Sequence, residues 1–383
     1  FCAFRRDGDE HDAYTLEFDE LLEKIQELVD IGGTQILMQG GMNPELPLNW
    51  YLDLLQVIKQ RFPKIHVHAF SPPEFIEFID FFDPPGDSLE DKIRWVMVQL
   101  RDAGLDSVPG GGGEIFAPAV RRKIGLGKCD ADAWLTVMRV AHELGMHTSA
   151  TMMFGHIEGI ADRIHHMDLV RTWQDRAIRD FGFDGGGRYK AFISWPFQRE
   201  NTPLGRAKEW GTGKDDNLNE PFPGDAVAKL DGTGDKSAHK EFGRRVRLAG
   251  SSEYLRTQAI SRLYLDNLYS IGASWVTMGP HIGQVALHYG ANDMGSVMME
   301  ENVVSAAGTT YCLNEPTLCR LIRDAGYVPA QRDNAYNLLT MHDGADAPDQ
   351  QIEDWSTQRI QQLHIEGAAK TNVDLTIAGT SAD

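Results

Sequence analysis

The sequence predicts an α/β fold, a parallel (β/α)8 barrel whose first strand is missing from the chain. Three observations carry this. Helix and strand patterns alternate from residue 18 to residue 293, the signature of a parallel sheet with helical crossovers. The strands end in glycine, proline or polar clusters, where such a barrel keeps its working loops. No G-x-G-x-x-G follows an early strand, which weighs against an open doubly wound sheet.

The elements follow in order. Phe18, Leu21, Leu22, Ile25, Leu28 and Val29 recur at helical spacing, and Gly32-Gly33 stops that helix. Thr34 to Met38 is an apolar strand ending in Gln39-Gly40-Gly41. A helix from Trp50 to Ile58 leads to a strand from Ile65 to Phe70, closed by Ser71-Pro72-Pro73-Glu74. Ile93 to Leu100 is helical. Leu105 to Val108 is a strand ending in Pro109 and the glycines Gly110 to Gly113. Ala131 to Leu144 is helical, and His147 to Met153 is a strand ending at Phe154-Gly155-His156. Ile160 to Phe181 is a long helix, Ala191 to Trp195 a strand ending at Pro196, and Tyr254 to Ile271 a helix. Ser274 to Met278 and Val285 to Tyr289 complete the set, the last strand ending in Gly290-Ala291-Asn292-Asp293. That makes seven strands where a closed barrel has eight. The barrel is therefore expected to be open between its second and eighth strands.

Residues 1–343 form the expected barrel. A polar insertion at about 206–250, rich in Gly, Asp and Lys, interrupts it, and an acidic, weakly ordered tail follows at 344–383, with one helix near Ile352 to Leu363. Composition narrows the function. The chain of 383 residues carries a net charge of −19, so it has no overall attraction to nucleic acid or to anionic lipid. No apolar run reaches the ~18 residues of a membrane span, and four cysteines in this length make no disulfide framework. A small-molecule substrate and a reduced cytoplasm are expected, with no nucleic-acid or membrane partner.

Single motifs weigh little. His165 and His166 are adjacent on a helix and point apart, so a shared metal is not expected. His66 and His68 alternate along a strand and share a face. Cys129, Cys312 and Cys319 lack a compact ligand spacing and are expected in the core. Glu300 and Glu301 open a helix, where acidic residues serve as caps.

At this point the chain resembles a known family. Phe1-Cys2-Ala3-Phe4 looks like the end of a C-x3-C-x2-C iron–sulfur loop. The block from Gly290 to Gly308, with Asn292-Asp293-Met294-Gly295-Ser296, resembles the C-terminal signature of the cyclic dehypoxanthinyl futalosine synthases, a radical S-adenosylmethionine (SAM) family. Thr151-Met152-Met153-Phe154-Gly155-His156, Phe192 to Gln198 and Ser274 to Thr277 match its habits too. The resemblance runs from residue 1 to about 340, outside the insertion. Aminofutalosine synthase and FO synthase subunits share the barrel and are the neighbouring alternatives. A non-catalytic barrel that has lost its cluster is the alternative of another class.

The resemblance implies a radical SAM cyclase of the futalosine route to menaquinone, with a TIM-type barrel, a 4Fe-4S cluster and SAM as cofactors. Dehypoxanthine futalosine would be the substrate, and flavodoxin or ferredoxin the electron donor. A 5′-deoxyadenosyl radical would take a hydrogen from the substrate sugar before ring closure. Carried over residue by residue, Cys2 would be a cluster ligand, its two companions lying upstream. Phe4, Gln39, Gly40, Gly41, Ser71 and Glu114 would bind the cofactor. His68, Asn292 and Glu300 would bind substrate, and His156, Glu158 and Asp293 would act in catalysis.

Overall fold

The computed structural model describes residues 13–40, 42–127, 129–183, 186–206, 248–299, 301 and 303–361. Cys2, Phe4, Gly41 and Glu300 lie outside the described residues, as does most of the expected insertion and the end of the tail.

Six strands pair in parallel and in chain order: β1 (Gln35–Met38), β2 (His66–Ala69), β3 (Ser107–Val108), β4 (His147–Phe154), β5 (Tyr189–Pro196) and β6 (Ser270–Gly272). Between them run α1 (Phe18–Asp30), which precedes β1, then α2 (Leu48–Arg61), α3 (Pro72–Phe82), α4 (Leu89–Ala103), α5 (Pro118–Lys123), α6 (Ala131–Glu143) and α7 (Ile160–Phe181). The strand order never reverses. Parallel crossovers are right-handed, so an unreversed order puts every helix on the same face of the sheet. The result is a curled half-barrel of the (β/α)8 type, with a helical outer layer and a concave inner face.

Local chemistry starts these helices where the sequence marks them. Ser71 and Glu74 form a capping box at the start of α3, with Pro72 at its first position. Ser88 and Asp91 do the same for α4. The Asp130 carboxylate accepts the Ala133 N–H at 2.8 Å at the start of α6, and Asp162 accepts the Gly159 N–H at 2.8 Å ahead of α7.

The core lies between the outer face of the sheet and the helices. Val67, Ala150, Met152, Phe154 and Phe192 from the strands meet Phe75, Phe78, Val96, Trp134 and Val137 from the helices, all fully buried. Side-chain bonds fix which way the strands face. Thr148 meets His142 of α6 at 2.8 Å, and Ser194 donates to Gln258 of the helix Ser251–Tyr264. Ser149, Thr151, Met153, Ile193 and Trp195 therefore point inward. A register shift between Thr148 and Ser149 adds one residue to β5 at Lys190.

Two expected strands are corrected. Trp275–Met278 is a helical turn, and Pro280–Ala286 is a helix running into a 3-10 turn at Leu287–Tyr289. The sixth strand lies earlier, at Ser270–Gly272, so the helix expected through Ile271 ends at Tyr264. The reason is length: a short apolar run is read equally well as a strand or a buried helical turn. Asp293 nevertheless reaches the sheet through an isolated parallel bridge to Gly272. The helix expected near Ile352 is instead a 3-10 turn at Trp355–Thr357.

A hairpin that periodicity did not reveal, Ala330–Arg332 with Leu338–Met341, pairs antiparallel. Arg332 forms a bidentate pair with Asp293. Arg323 holds Asp349 through its Nε at 2.6 Å, which ties residues 344–361 to the helix Glu315–Asp324.

Close packing at Gly187 generates a stability test. A Cβ there would collide with the carbonyl oxygen of Met146 and lie 2.7 Å from His142 Cα. At Gly145 a Cβ meets nothing within 4 Å, and only the φ of +79° opposes it. Gly187→Ala should cost about 3 kcal/mol and Gly145→Ala about 1 kcal/mol, read from urea unfolding midpoints.

Candidate active site

The C-terminal ends of β1 to β4 converge through backbone and carboxylate contacts. Glu74, at the first turn of α3, is buried. Its Oε2 accepts the Ser71 N–H at 2.6 Å and the Ser71 hydroxyl at 2.7 Å, and its Oε1 accepts the Gly40 N–H at 3.2 Å. One carboxylate therefore joins the loops after β1 and β2. The loop after β3 lies against both. A Cβ on Gly111 would strike Gln39 Nε2 and come 3.0 Å from Ser71 Cβ, and one on Gly113 would lie 2.5 Å from the Thr151 carbonyl oxygen. Gly113 is required by close approach to backbone, whereas at Gly111 the nearest atom is the movable end of Gln39.

The glycine loop is held from behind. Arg121 of α5 is buried and donates through Nη1 to the carbonyls of Gly112 at 3.0 Å and Gly113 at 2.8 Å, and through Nε to Cys129 at 3.0 Å. Trp134 Nε1 donates to Gly111 O at 3.1 Å. Glu114 follows with a φ of +37°, rare for a non-glycine residue. Its Oε2 is buried without a hydrogen-bond partner. Burial raises both carboxyls, Glu74 and Glu114, to about 7, against the donors around Glu74 and the Arg121 charge near Glu114.

His156 and Glu158 sit past β4 in a saturated network. Glu158 accepts from Gly155 N at 2.7 Å, His156 N at 3.0 Å and Arg163 Nε at 2.9 Å. His156 Nδ1 accepts the Ile157 N–H at 2.8 Å, and its Nε2 faces Met153 O at 3.2 Å. Burial works to raise the Glu158 carboxyl, but His156, Arg163 and the two N–H groups outweigh it and leave it below the usual range. This arrangement positions the turn after β4, and both residues already use their polar atoms within it.

Asn292 is turned to the edge of β6. Its Oδ1 accepts from Ile271 N at 2.9 Å and Arg262 at 2.7 Å, and its Nδ2 donates to Tyr269 O at 3.0 Å. Asp293 is taken up by Arg332 and by the Gly295 N–H at 2.6 Å. Of the expected residues, Gln39, Gly40 and Ser71 meet one another, and Glu114 ends the glycine loop that touches them. His68 lies on the inner face, bonded to Ser107 at 2.6 Å. Asn292 is directed elsewhere.

Glu74, Arg121, Ser107 and Arg332 were not singled out from sequence. Glu74 had a readable signal, the S-x-x-E spacing of a capping box. Ser107 and Arg332 act through register or across long separations, which spacing does not encode, and Arg121 acts on backbone carbonyls close to it in the chain, for which there is no residue signature. His166, set aside as a metal ligand, stacks on Phe116 at 4.0 Å, and burial lowers it to about 3.

Comparison with known proteins gives this arrangement its family. Residues 1–170 match the model of the radical SAM superfamily, and residues 234–344 match that of the CofH/MqnC C-terminal region. A cyclic dehypoxanthine futalosine synthase from Halalkalibacterium halodurans is 39% identical over 91% of this chain and 79% of its own length. The chain belongs to the radical SAM superfamily of enzymes. A 5-amino-6-(D-ribitylamino)uracil–L-tyrosine 4-hydroxyphenyl transferase from Methanopyrus kandleri is 36% identical over 89% of this chain and 80% of its own. An aminodeoxyfutalosine synthase from Thermus thermophilus is 35% identical over 91% and 80%. The crystal structure of methylornithine synthase (PylB) superposes with a TM-score of 0.52 at 18% identity, covering 86% of this chain and 79% of that one, which supports the fold.

The strand ends of this radical SAM chain fit the polar groups of SAM. They offer a primary amide, a hydroxyl, exposed backbone on glycines and an unpartnered buried carboxylate oxygen. The described residues do not fit an iron–sulfur cluster: no group of three or more His, Cys, Asp or Glu among them is placed to hold a metal. Cys129 and Cys319 are buried, with thiols pushed up to about 12.

Glu114 gives a pH test. Its folded value of about 7 exceeds the model-compound 4.5. Its contribution to stability is therefore fully present below pH ~4.5 and lost as pH rises through ~7. Glu114→Gln should remove that loss. Relative to the parent, the variant should gain at most about 3 kcal/mol between pH 4.5 and 8, measured by denaturant unfolding at several pH values. A constant difference across that range would show that Glu114 titrates normally.

Proposed function

We propose that this protein is a radical SAM cyclase that converts dehypoxanthine futalosine to cyclic dehypoxanthinyl futalosine in menaquinone biosynthesis. The observation that carries this reading is the 39% identity with the H. halodurans synthase over 91% of the chain. A second synthase of that name, from Streptomyces coelicolor, matches at 34% over 96%. Aminofutalosine synthase or FO synthase chemistry on the same scaffold is the alternative, since an aminodeoxyfutalosine synthase matches at 35% identity.

The proposed cofactors are SAM and a 4Fe-4S cluster, with Cys2 as one ligand. When bound and reduced by one electron, SAM supplies a carbon radical that abstracts hydrogen from the substrate sugar. The chain's own part is placement. Glu74 fixes Gly40 N and Ser71, while Arg121 and Trp134 fix the carbonyls of Gly111, Gly112 and Gly113. Gln39, Gly40, Ser71 and Glu114 are thereby presented to the amino, carboxylate and ribose groups of SAM. Met153, Ile193 and Trp195 supply an apolar inner wall that limits water at the reacting carbon. His156 and Glu158 hold the loop after β4, and Asp293 with Arg332 bounds the substrate side.

A flavodoxin or ferredoxin is the proposed electron donor and the cytoplasm the proposed location. Among the described residues no helix is long and apolar enough to cross a membrane.

The test is anaerobic assay of the full-length protein with SAM, reductant and dehypoxanthine futalosine. The expected products are 5′-deoxyadenosine and the cyclised nucleoside. Gln39→Ala should raise the KM for SAM at least about tenfold, about 1.4 kcal/mol, with an unchanged unfolding midpoint. SAM cleavage without cyclisation, together with turnover of an aminofutalosine or FO synthase substrate, would transfer the protein to the alternative.

A further inference from the structure

Three inner-face side chains form a cluster that the strand-end loops do not use. His66 and His68 alternate along β2 and point to the same side, toward Ser107 on β3. Ser107 is buried, and its hydroxyl lies 2.6 Å from His66 Nε2 and 2.6 Å from His68 Nδ1. Parallel pairing of His68 with Ser107 fixes that meeting. Among the described residues, no hydrogen-bond partner falls on His68 Nε2 or His66 Nδ1, and neither atom is an enclosed orphan. The inner nitrogens thus share one hydroxyl, and the outer nitrogens are open.

A hydroxyl has a single proton to donate. Its oxygen accepts as well, so between two ring nitrogens it either accepts from both or donates to one and accepts from the other, and only the second arrangement can pass a proton. If His66 Nε2 carries the proton, Ser107 donates to His68 Nδ1, and the His68 proton sits on Nε2. In the opposite arrangement both rings carry it on Nδ1. In the conducting arrangement the two imidazoles share a tautomer and switch it together. Charged groups around them are unequal: Arg332 faces His68, while Asp106, Lys59 and Asp333 surround His66. Burial lowers both rings, His68 to about 3, which keeps them neutral and suited to passing a proton rather than holding it.

We infer that His68, Ser107 and His66 form a proton relay, which takes a proton from substrate on the concave face and delivers it toward the N-terminal end of the half-barrel. The inference rests on the proposed cyclisation, whose last step removes a proton and an electron from the substrate ring. The substrate C–H proton forms a new N–H bond on His68 Nε2. The Nδ1 proton of His68 moves to Ser107, the Ser107 proton moves to His66 Nε2, and the Nδ1 proton of His66 leaves to water. The C–H electron pair stays on the ring, whose one excess electron leaves to a separate one-electron acceptor, such as an oxidised iron–sulfur protein. After product leaves, water at the open face takes the proton from His68 Nε2, water on the other side returns one to His66 Nδ1, and the tautomers reset. One proton has then passed from substrate to solvent.

Two measurements on the full-length protein test this. Ring nitrogen–proton NMR correlation of the resting protein should show His66 and His68 both as Nδ1–H, the state that leaves His68 Nε2 free. A proton on Nε2 of either ring would overturn the relay, and this readout needs no substrate. His66→Gln keeps a hydrogen-bond partner for Ser107 but cannot pass a proton on. It should lower the rate of cyclised product at least about tenfold, with KM within about twofold and 5′-deoxyadenosine still forming. Ser107→Ala should do the same. A wild-type rate in His66→Gln would overturn the relay as well. If the parent protein itself forms no cyclised product, the substrate assignment fails, and the tautomer measurement decides the relay alone.

Discussion

The buried guanidinium of Arg121 is the constraint on which the strand-end architecture depends. A desolvated cation costs several kcal/mol unless it is fully hydrogen-bonded, and Arg121 meets this demand with backbone carbonyls. Its five hydrogen bonds go to four carbonyls of the segment from Gly112 to Cys129, so the glycine loop cannot relax without stranding the charge. Because the loop is fixed, its glycines can lie flush against Gln39, Ser71 and Thr151. A lysine would not substitute, since its single ammonium cannot span carbonyls on both sides as the planar fork does. The neighbouring Glu114 shares this enclosure, which explains why a carboxylate is left with an oxygen that no protein group satisfies.

The sheet separates two environments. Outward residues such as Ala150, Met152 and Phe192 are sealed by helices, while Met153, Ile193 and Trp195 on alternate positions remain half-buried on the concave face. A ligand there meets aromatic and aliphatic surface above, and the His66–Ser107–His68 group and the Arg332–Asp293 pair below. Arg332 comes from a hairpin 39 residues along from Asp293. Its pairing with the end of β6 binds the C-terminal segment to the half-barrel and brings a cation beside His68.

Relatives named for three different activities match this chain over nearly the same span, at 35–39% identity. The scaffold is thus common to differently named enzymes, and the fold alone does not decide the reaction. The residues that hold the loops, Glu74 and Arg121 among them, act on backbone atoms and serve any substrate.

Sequence alone determined the alternating architecture, because periodicity and capping are local. The helix Ile160–Phe181 was legible residue for residue, with 22 residues of 3.6-period pattern and an acidic first turn. The strand-end clusters at Gln39, Ser71 and Gly110 were legible too, since a parallel fold places such residues together whatever their separation. Ser274–Met278 and Val285–Tyr289 were not, because a handful of apolar residues fits a strand or a buried turn equally. Tertiary structure decided what those polar residues touch. Asn292 reads as a ligand-facing residue until it is seen copying strand hydrogen bonds on Tyr269 and Ile271. His156 and Glu158 read as a reactive pair until Arg163 and two backbone N–H groups are seen to occupy them. Ser107 carries no signal at all until the register of β2 on β3 sets its hydroxyl between two histidines. Spacing encodes which face a side chain takes, whereas partners across strands depend on register and on contacts tens of residues apart, which only packing of the whole chain fixes.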